Sequence, residues 1–216
     1  MGKSKQRRFE WLKRHLTEKA DSYSLFELGC YDCPTLRYIP KPKRYVGADA
    51  GWQGGIEDAR MTFAQTPWID LVMSHSAHDL ERYQGMYFDY ALALNTLEYI
   101  PDPVLRGYLQ FLSQAVQKRF FVTVPVEVGI VFLARHLKCS LSGMEGETYT
   151  WAEVYWAARG RVEKVTRFER KGFDYRNLVS LMNEYFNVVS VQGLSLCGYP
   201  MLSKEVAIIA EPKRKK

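Results

Sequence analysis

Apolar residues in this chain fall into two rhythms. Short, nearly continuous apolar runs recur at residues 25–28, 44–50, 68–73, 88–94, 119–124, 187–191 and 205–210. Each has the length of a buried strand. Between them the apolar positions return every three or four residues. Phe9, Leu12 and Leu16 mark a helix over 8–20, Leu105, Leu109 and Leu112 one over 102–116, and Leu178, Leu181 and Met182 one over 174–185. That spacing is one face of an amphipathic helix. Seven strands alternating with helices predict an α/β class domain built on a doubly wound, mostly parallel sheet.

The polar and helix-breaking residues give the punctuation. Gly29 ends the first run, and Asp32-Cys33-Pro34 reads as a helix start that Pro40 and Pro42 must cut short. Gly51-Trp-Gln-Gly-Gly55 reads as a flexible loop, and 74–79 as another. Asp102-Pro103 opens a helix, and Pro125 stops the fifth strand. Residues 126–161 depart from the alternation. They predict an apolar helix over 128–138 and a second over 150–158, where Thr150 and Glu153 form a capping box. The final pair of strands is joined by a turn over 193–200.

Composition narrows the class. The chain has 216 residues, 47% hydrophobic and 25% charged, which suits one domain over 1–216 with a core of its own. No apolar run is long enough to span a membrane, and the basic N-terminus leads into an amphipathic segment instead of a signal-peptide core, so a cytoplasmic protein is expected. Four cysteines without framework spacing agree with a reducing compartment. The net charge of +6 is concentrated in Lys3, Lys5, Arg7 and Arg8 and in 213–216. Basic ends of this kind serve solubility or loose attraction to anions, and without aromatics interleaved on a surface they do not point to nucleic acid. His75 and His78 have no further ligand at metal spacing, so no metal is expected.

The candidate chemistry lies after the first two strands. Glu27 is a carboxylate inside a buried run and needs a partner there. Asp49 ends the second strand twenty residues after Gly29, where nucleotide-type folds place the acid that takes a ribose diol. A dinucleotide site needs further glycines so that backbone can approach a pyrophosphate. Here Tyr31 and Cys33 occupy those positions. A ligand with a ribose and no phosphate tolerates that change, and S-adenosylmethionine is such a ligand.

Four segments resemble motifs of the class I S-adenosylmethionine-dependent methyltransferases, in the family's order. Glu27-Leu-Gly-Cys-Tyr-Asp-Cys33 is similar to the acid-x-Gly-x-Gly-x-Gly loop with its last two glycines replaced, and Val46-Gly-Ala-Asp49 to the ribose motif. Ser76-Ala-His-Asp-Leu80 resembles the adenine segment, and residues 88–103 the fourth-strand motif with its turn. The resemblance implies a Rossmann-like sheet of seven strands, the last antiparallel, with helices on both faces. It implies S-adenosyl-L-methionine as cofactor, with Gly29, Cys30 and Tyr31 approaching it by backbone. Glu27 would fix its methionine end, Asp49 its ribose, and Ala50, Ser76 and Ala77 its adenine. Asn95 would lie near the donor methyl. It further implies that 126–161 forms a helical lid on the acceptor side, although an apolar, aromatic insertion would equally suit a homodimer interface or a peripheral membrane contact.

The activity implied is methyl transfer to a small-molecule or saccharide acceptor, at oxygen or nitrogen. No side chain is marked as catalytic. If a base is used, His75, Tyr99 and His136 are the candidates. The segment after the fourth strand lacks the Asn/Asp-Pro-Pro-aromatic motif of enzymes that methylate nucleic-acid bases. Two other readings stand beside this one. The missing glycines suit a protein of the same fold that binds without turnover, and Cys30-Tyr-Asp-Cys33 before a helix start suits a thiol oxidoreductase.

Overall fold

The computed structural model describes residues 3–141, 149–195 and 198–213. The expectations for the basic tail at 214–216, for 142–148 of the insertion and for 196–197 of the last turn lie outside the described residues.

Seven strands form one sheet: β1 (Ser24–Leu28), β2 (Arg44–Asp49), β3 (Ile69–Met73), β4 (Phe88–Leu94), β5 (Val116–Pro125), β6 (Phe186–Gly193) and β7 (Glu205–Pro212). Their order is β3-β2-β1-β4-β5-β7-β6. β1 pairs in parallel with β2 and β4, with Phe26 opposite Val46 and Ala91. β7 runs antiparallel to both neighbours. The expected fold class is therefore observed, the reversed last strand included.

Both faces of the sheet are covered, which is why its central strands are apolar on both sides. Phe26, Val46, Ala91, Val122 and Ile208 pack against α3 (Asp102–Ala115) and α6 (Tyr175–Tyr185). On the opposite face Leu25, Tyr45, Leu92, Phe121 and Ile209 meet α1 (Lys3–His15) and α2 (Gly55–Thr62). Trp11 of α1 touches Phe121 edge-on with ring centroids 5.8 Å apart. The helix expected over 8–20 thus begins and ends earlier, although its apolar positions face the sheet as read.

Three elements differ from the sequence reading. The helix start at Pro34 is only a 3-10 turn, Pro34–Arg37. The glycine loop after β2 leads into α2, whose only buried residues are Gly55, Ile56 and Ala59, too few for a visible helical stripe. β5 begins at Val116, because Gln117, Lys118 and Arg119 are exposed strand residues that carry no apolar signal. In the insertion, α4 (Gly129–Leu141) and α5 (Trp151–Ala158) build a small separate cluster around Phe132, Val154, Ala157 and Val165. Thr150 and Glu153 form the expected capping box at the start of α5.

Candidate functional site

The loops that leave the C-terminal ends of β1 to β4 converge on a cavity of about 740 Å³. In open α/β sheets this edge, beside the point where strand order reverses, is where ligands bind. Gly29 to Tyr31 form one wall, Asp49 to Gln53 the next, and Asn95, Thr96 and Tyr99 the third, with Arg8 and Phe9 of α1 closing one side. Two hollows of about 510 Å³ lie elsewhere, one beside β3 and one between α3 and α6.

The loop after β1 has glycine geometry at three positions and glycine at one. Gly29, Tyr31 and Cys33 take φ values of 78°, 48° and 57°. Left-handed backbone costs a side-chain-bearing residue roughly 1–2 kcal/mol, so two such residues need fastening. The fastening is visible. The Tyr31 N–H donates to Asp49 Oδ2 at 2.8 Å, and the Cys33 N–H donates to the Cys30 carbonyl at 2.7 Å. The Tyr31 ring lies on Gly55, where a Cβ would come within 2.3 Å of it. Cys33 is buried beneath the loop. Tyr31 lines the cavity beside Asp49, and Cys33 does not. Gly29 itself admits no substitution, because a Cβ there would lie 2.0 Å from Thr96 Oγ1.

Two acids border this wall, and both are paired. Asp49 is nearly buried, and its Oδ1 accepts the Gly51 N–H at 2.9 Å while Oδ2 holds Tyr31. Glu27 accepts from the Thr35 hydroxyl at 2.6 Å and the Tyr45 hydroxyl at 2.7 Å. Burial pushes Glu27 up to about 7 against the pull of those hydroxyls. The Cys30 thiol is raised well above its usual range, first by its hydrogen bond with Cys33 and then by burial. A redox-active pair needs the opposite shift.

The other residues singled out in the sequence divide between wall and periphery. Ala50, His75, Asn95 and Tyr99 line the cavity with Glu27, Gly29, Cys30, Tyr31 and Asp49. Trp52 meets Tyr99 edge-on across it, with centroids 5.3 Å apart. Ser76 and Ala77 are outside the lining. Ser76 caps the 3-10 turn Ala77–Tyr83 together with Asp79, and Ala77 packs against Gly107 of α3. His136 belongs to an aromatic group in the insertion, 5.9 Å from the Phe132 ring and 5.6 Å from Tyr149.

Sequence reasoning missed Arg8 and Glu205. Asn95, at φ 54°, accepts from the Thr123 hydroxyl at 2.9 Å and donates to Glu205 Oε1 at 3.0 Å. The same oxygen accepts from Arg8 at 2.8 Å. Arg8 directly precedes the buried Phe9 and so lies beside the helix face that meets the sheet, which is the signal that could have found it.

The fold is that of the class I S-adenosylmethionine-dependent methyltransferases. No protein-family model matches the chain, and none of the curated proteins does. Solved structures match along nearly its whole length. An S-adenosylmethionine-dependent methyltransferase from Clostridium acetobutylicum aligns with TM-score 0.61 and 12% identity, over 97% of this chain and 92% of that one. The Synechocystis magnesium protoporphyrin IX methyltransferase, solved with S-adenosylhomocysteine, gives TM-score 0.59 and 11% identity, over 97% and 84%. The N-methyltransferase NodS of Bradyrhizobium japonicum, also with S-adenosylhomocysteine, gives 0.57 and 14%, over 97% and 87%.

Proposed function

We propose that the chain transfers the methyl group of S-adenosylmethionine to a small-molecule or saccharide acceptor, at oxygen or nitrogen. One observation carries this reading. The loop after β1 keeps three left-handed turns with a single glycine, and it is tied by its own amide to an acid that borders an open cavity. A cavity of this size accommodates a ligand of drug-like dimensions.

The residues on the wall fit the group. Each oxygen of Asp49 accepts one backbone N–H and keeps a second lone pair for a ribose hydroxyl. Gly29 and Cys30 allow close backbone approach, and Glu27 secures the methionine end. Ala50 lines the adenine side, with Ser76 and Ala77 supporting it from behind, and Asn95 lies toward the donor methyl. Trp52 and Tyr99 form an aromatic gate over the crevice. The bound sulfonium supplies an activated methyl group. What remains for the protein is to align the acceptor and exclude water. In this reading α4 and α5 act as the lid.

The test is calorimetry with S-adenosylmethionine and S-adenosylhomocysteine. Both are expected to bind the unaltered protein. Asp49→Ala is expected to weaken binding at least tenfold, about 1.4 kcal/mol. The Cys30→Ser, Cys33→Ser double variant is expected to keep binding. No heat with either ligand would instead favour a non-catalytic protein of the same fold, and unchanged affinity in Asp49→Ala would remove that residue's role.

A further inference from the structure

The two helices of the insertion turn large apolar side chains outward. Both pack on the cluster around Phe132, Val154 and Ala157. On their outer sides stand Ile130 and Leu137, two turns apart on α4, and Trp151 and Tyr155, one turn apart on α5. Trp151 is 73% exposed, Ile130 68% and Tyr155 50%. The two stripes adjoin, since the Trp151 ring lies 6.4 Å from that of His136, the chain neighbour of Leu137. At the other end of α4, the Met201 methyl comes within 3.9 Å of the place a Cβ would take on Gly129, and both Met201 and Leu202 are more than half exposed. Single exposed apolar side chains are ordinary, but a group gathered on neighbouring elements marks a contact surface.

Cations border this surface. The Arg159 guanidinium stands 5.1 Å from the centre of the Tyr155 ring, and Lys164 and Arg161 stand 4.0 and 5.9 Å from that of Trp156. All three are exposed, and none is in an ion pair among the described residues. Of the acids nearby, Glu163 lies between Arg161 and Lys164 in sequence, and Glu153 is buried and bound by Lys171. Aromatic rings, aliphatic side chains and unpaired cations together suit a lipid surface. The rings settle among headgroups, the aliphatic groups reach the edge of the acyl layer, and the cations meet lipid phosphates. A second copy in a two-fold pairing would set these cations against their own kind. A nucleic acid would leave Ile130, Leu137, Met201 and Leu202 without a partner.

We infer that the outer face of α4 and α5 docks on an anionic lipid bilayer, with Trp151 and Tyr155 entering the headgroup layer and Arg159, Arg161 and Lys164 contacting lipid phosphates. The contact is peripheral, because among the described residues no helix is long and apolar enough to cross a membrane. The net charge of +6 favours approach to such a surface. Glu153 ties the start of α5 to Thr166 and Lys171, and the segment between those two puts Glu169 in the cavity wall. The docked face therefore adjoins the rim of the cavity. Vesicle binding needs no cofactor, so this inference stands apart from the methyltransferase reading.

Co-sedimentation of the full chain with vesicles tests it. Vesicles of phosphatidylcholine and phosphatidylglycerol in equal parts are compared with vesicles of phosphatidylcholine alone. The unaltered protein should bind the mixed vesicles at least about tenfold more tightly, and the binding should weaken as salt is raised. Trp151→Ser combined with Tyr155→Ser should lower the partition about tenfold and reduce the blue shift of tryptophan fluorescence on binding. Arg159→Gln, Arg161→Gln and Lys164→Gln together should lower it about as far and flatten the salt dependence. Tyr87→Ser is the control, an exposed position before β4 at the opposite end of the strands from the cavity, and should bind as the unaltered protein does. The preference for anionic vesicles is read on the unaltered protein and so depends on no variant. No binding to the mixed vesicles, equal binding to the neutral ones, or full binding by both sets of variants overturns the inference. So does a dimer in light scattering that the same substitutions dissociate, or a single-stranded RNA oligonucleotide bound more tightly than the vesicles.

Discussion

Two regions beside the cavity handle buried charge in opposite ways. At the β1–β2 end every acid is answered from within the chain. Asp49 holds two amides, and Glu27 holds two hydroxyls. Behind the wall formed after β4 and beside β7, Glu98 and Glu205 each keep an unmatched oxygen, and Arg8 keeps an unmatched N–H. At the first region hydrogen bonds from the chain itself offset part of the cost of burial. An unsatisfied region costs stability.

Substitutions can break this contrast or sharpen it. The largest effect is expected at Gly29→Ala. The added methyl would lie 2.7 Å from Thr96 Cβ, so side-chain rotation cannot relieve the clash, and the φ of 78° adds strain. A loss on the order of 3 kcal/mol in denaturant unfolding is expected, with cofactor affinity reduced on the order of a hundredfold. Next comes Glu98→Gln, with the opposite sign. The folded carboxyl titrates near 8 and the free one near 4.5, so the folded state binds the proton more tightly and wild-type stability falls as pH rises between those values. The glutamine protein should therefore match wild type near pH 4.5 and exceed it above pH 8, by on the order of 1–3 kcal/mol. Equal stability at both pH values would mean that burial does not raise the Glu98 carboxyl. The smallest effect is expected at Tyr31→Gly. Removing a side chain from left-handed backbone should stabilise by about 0.5–1 kcal/mol in thermal unfolding, with cofactor affinity unchanged. A loss of stability would show that the Tyr31 ring on Gly55 holds the loop more firmly than its amide does.

The same contrast governs how much could be read from the chain. The strand runs and their order of motifs identified the sheet, because central strands buried on both faces leave continuous apolar stretches such as Phe88–Leu94. The β1–β2 end was equally legible. Gly29 and Asp49 are adjacent to strands in sequence, and their places on the cavity wall follow from local turns. α2 escaped because glycines open it and so little of it is buried, although the parallel pairing of β2 with β3 demands a crossover there. The pairing of Arg8 with Glu205 was opaque for a different reason. Arg8 and Glu205 are 197 residues apart and meet only because β7 reverses beside β5. No local pattern announces such a pair. Left-handed backbone at Tyr31 and Cys33 was hidden too, since the residue types argue against it and only the Asp49 and Cys30 contacts impose it.

Glu153 carries a consequence for life at low pH. Its carboxylate receives Lys171 at 2.9 Å, the Thr150 N–H at 2.9 Å and the Thr166 N–H at 3.1 Å, and these bonds, the lysine first, hold it down at about 2. A depressed carboxyl contributes its stability above its free value of 4.5 and surrenders it only as pH falls through about 2. It thus rivets the start of α5 to the segment that carries Glu169 into the cavity wall. Mild acid that neutralises ordinary surface acids leaves this rivet in place, so this rim of the cavity keeps its shape in souring surroundings.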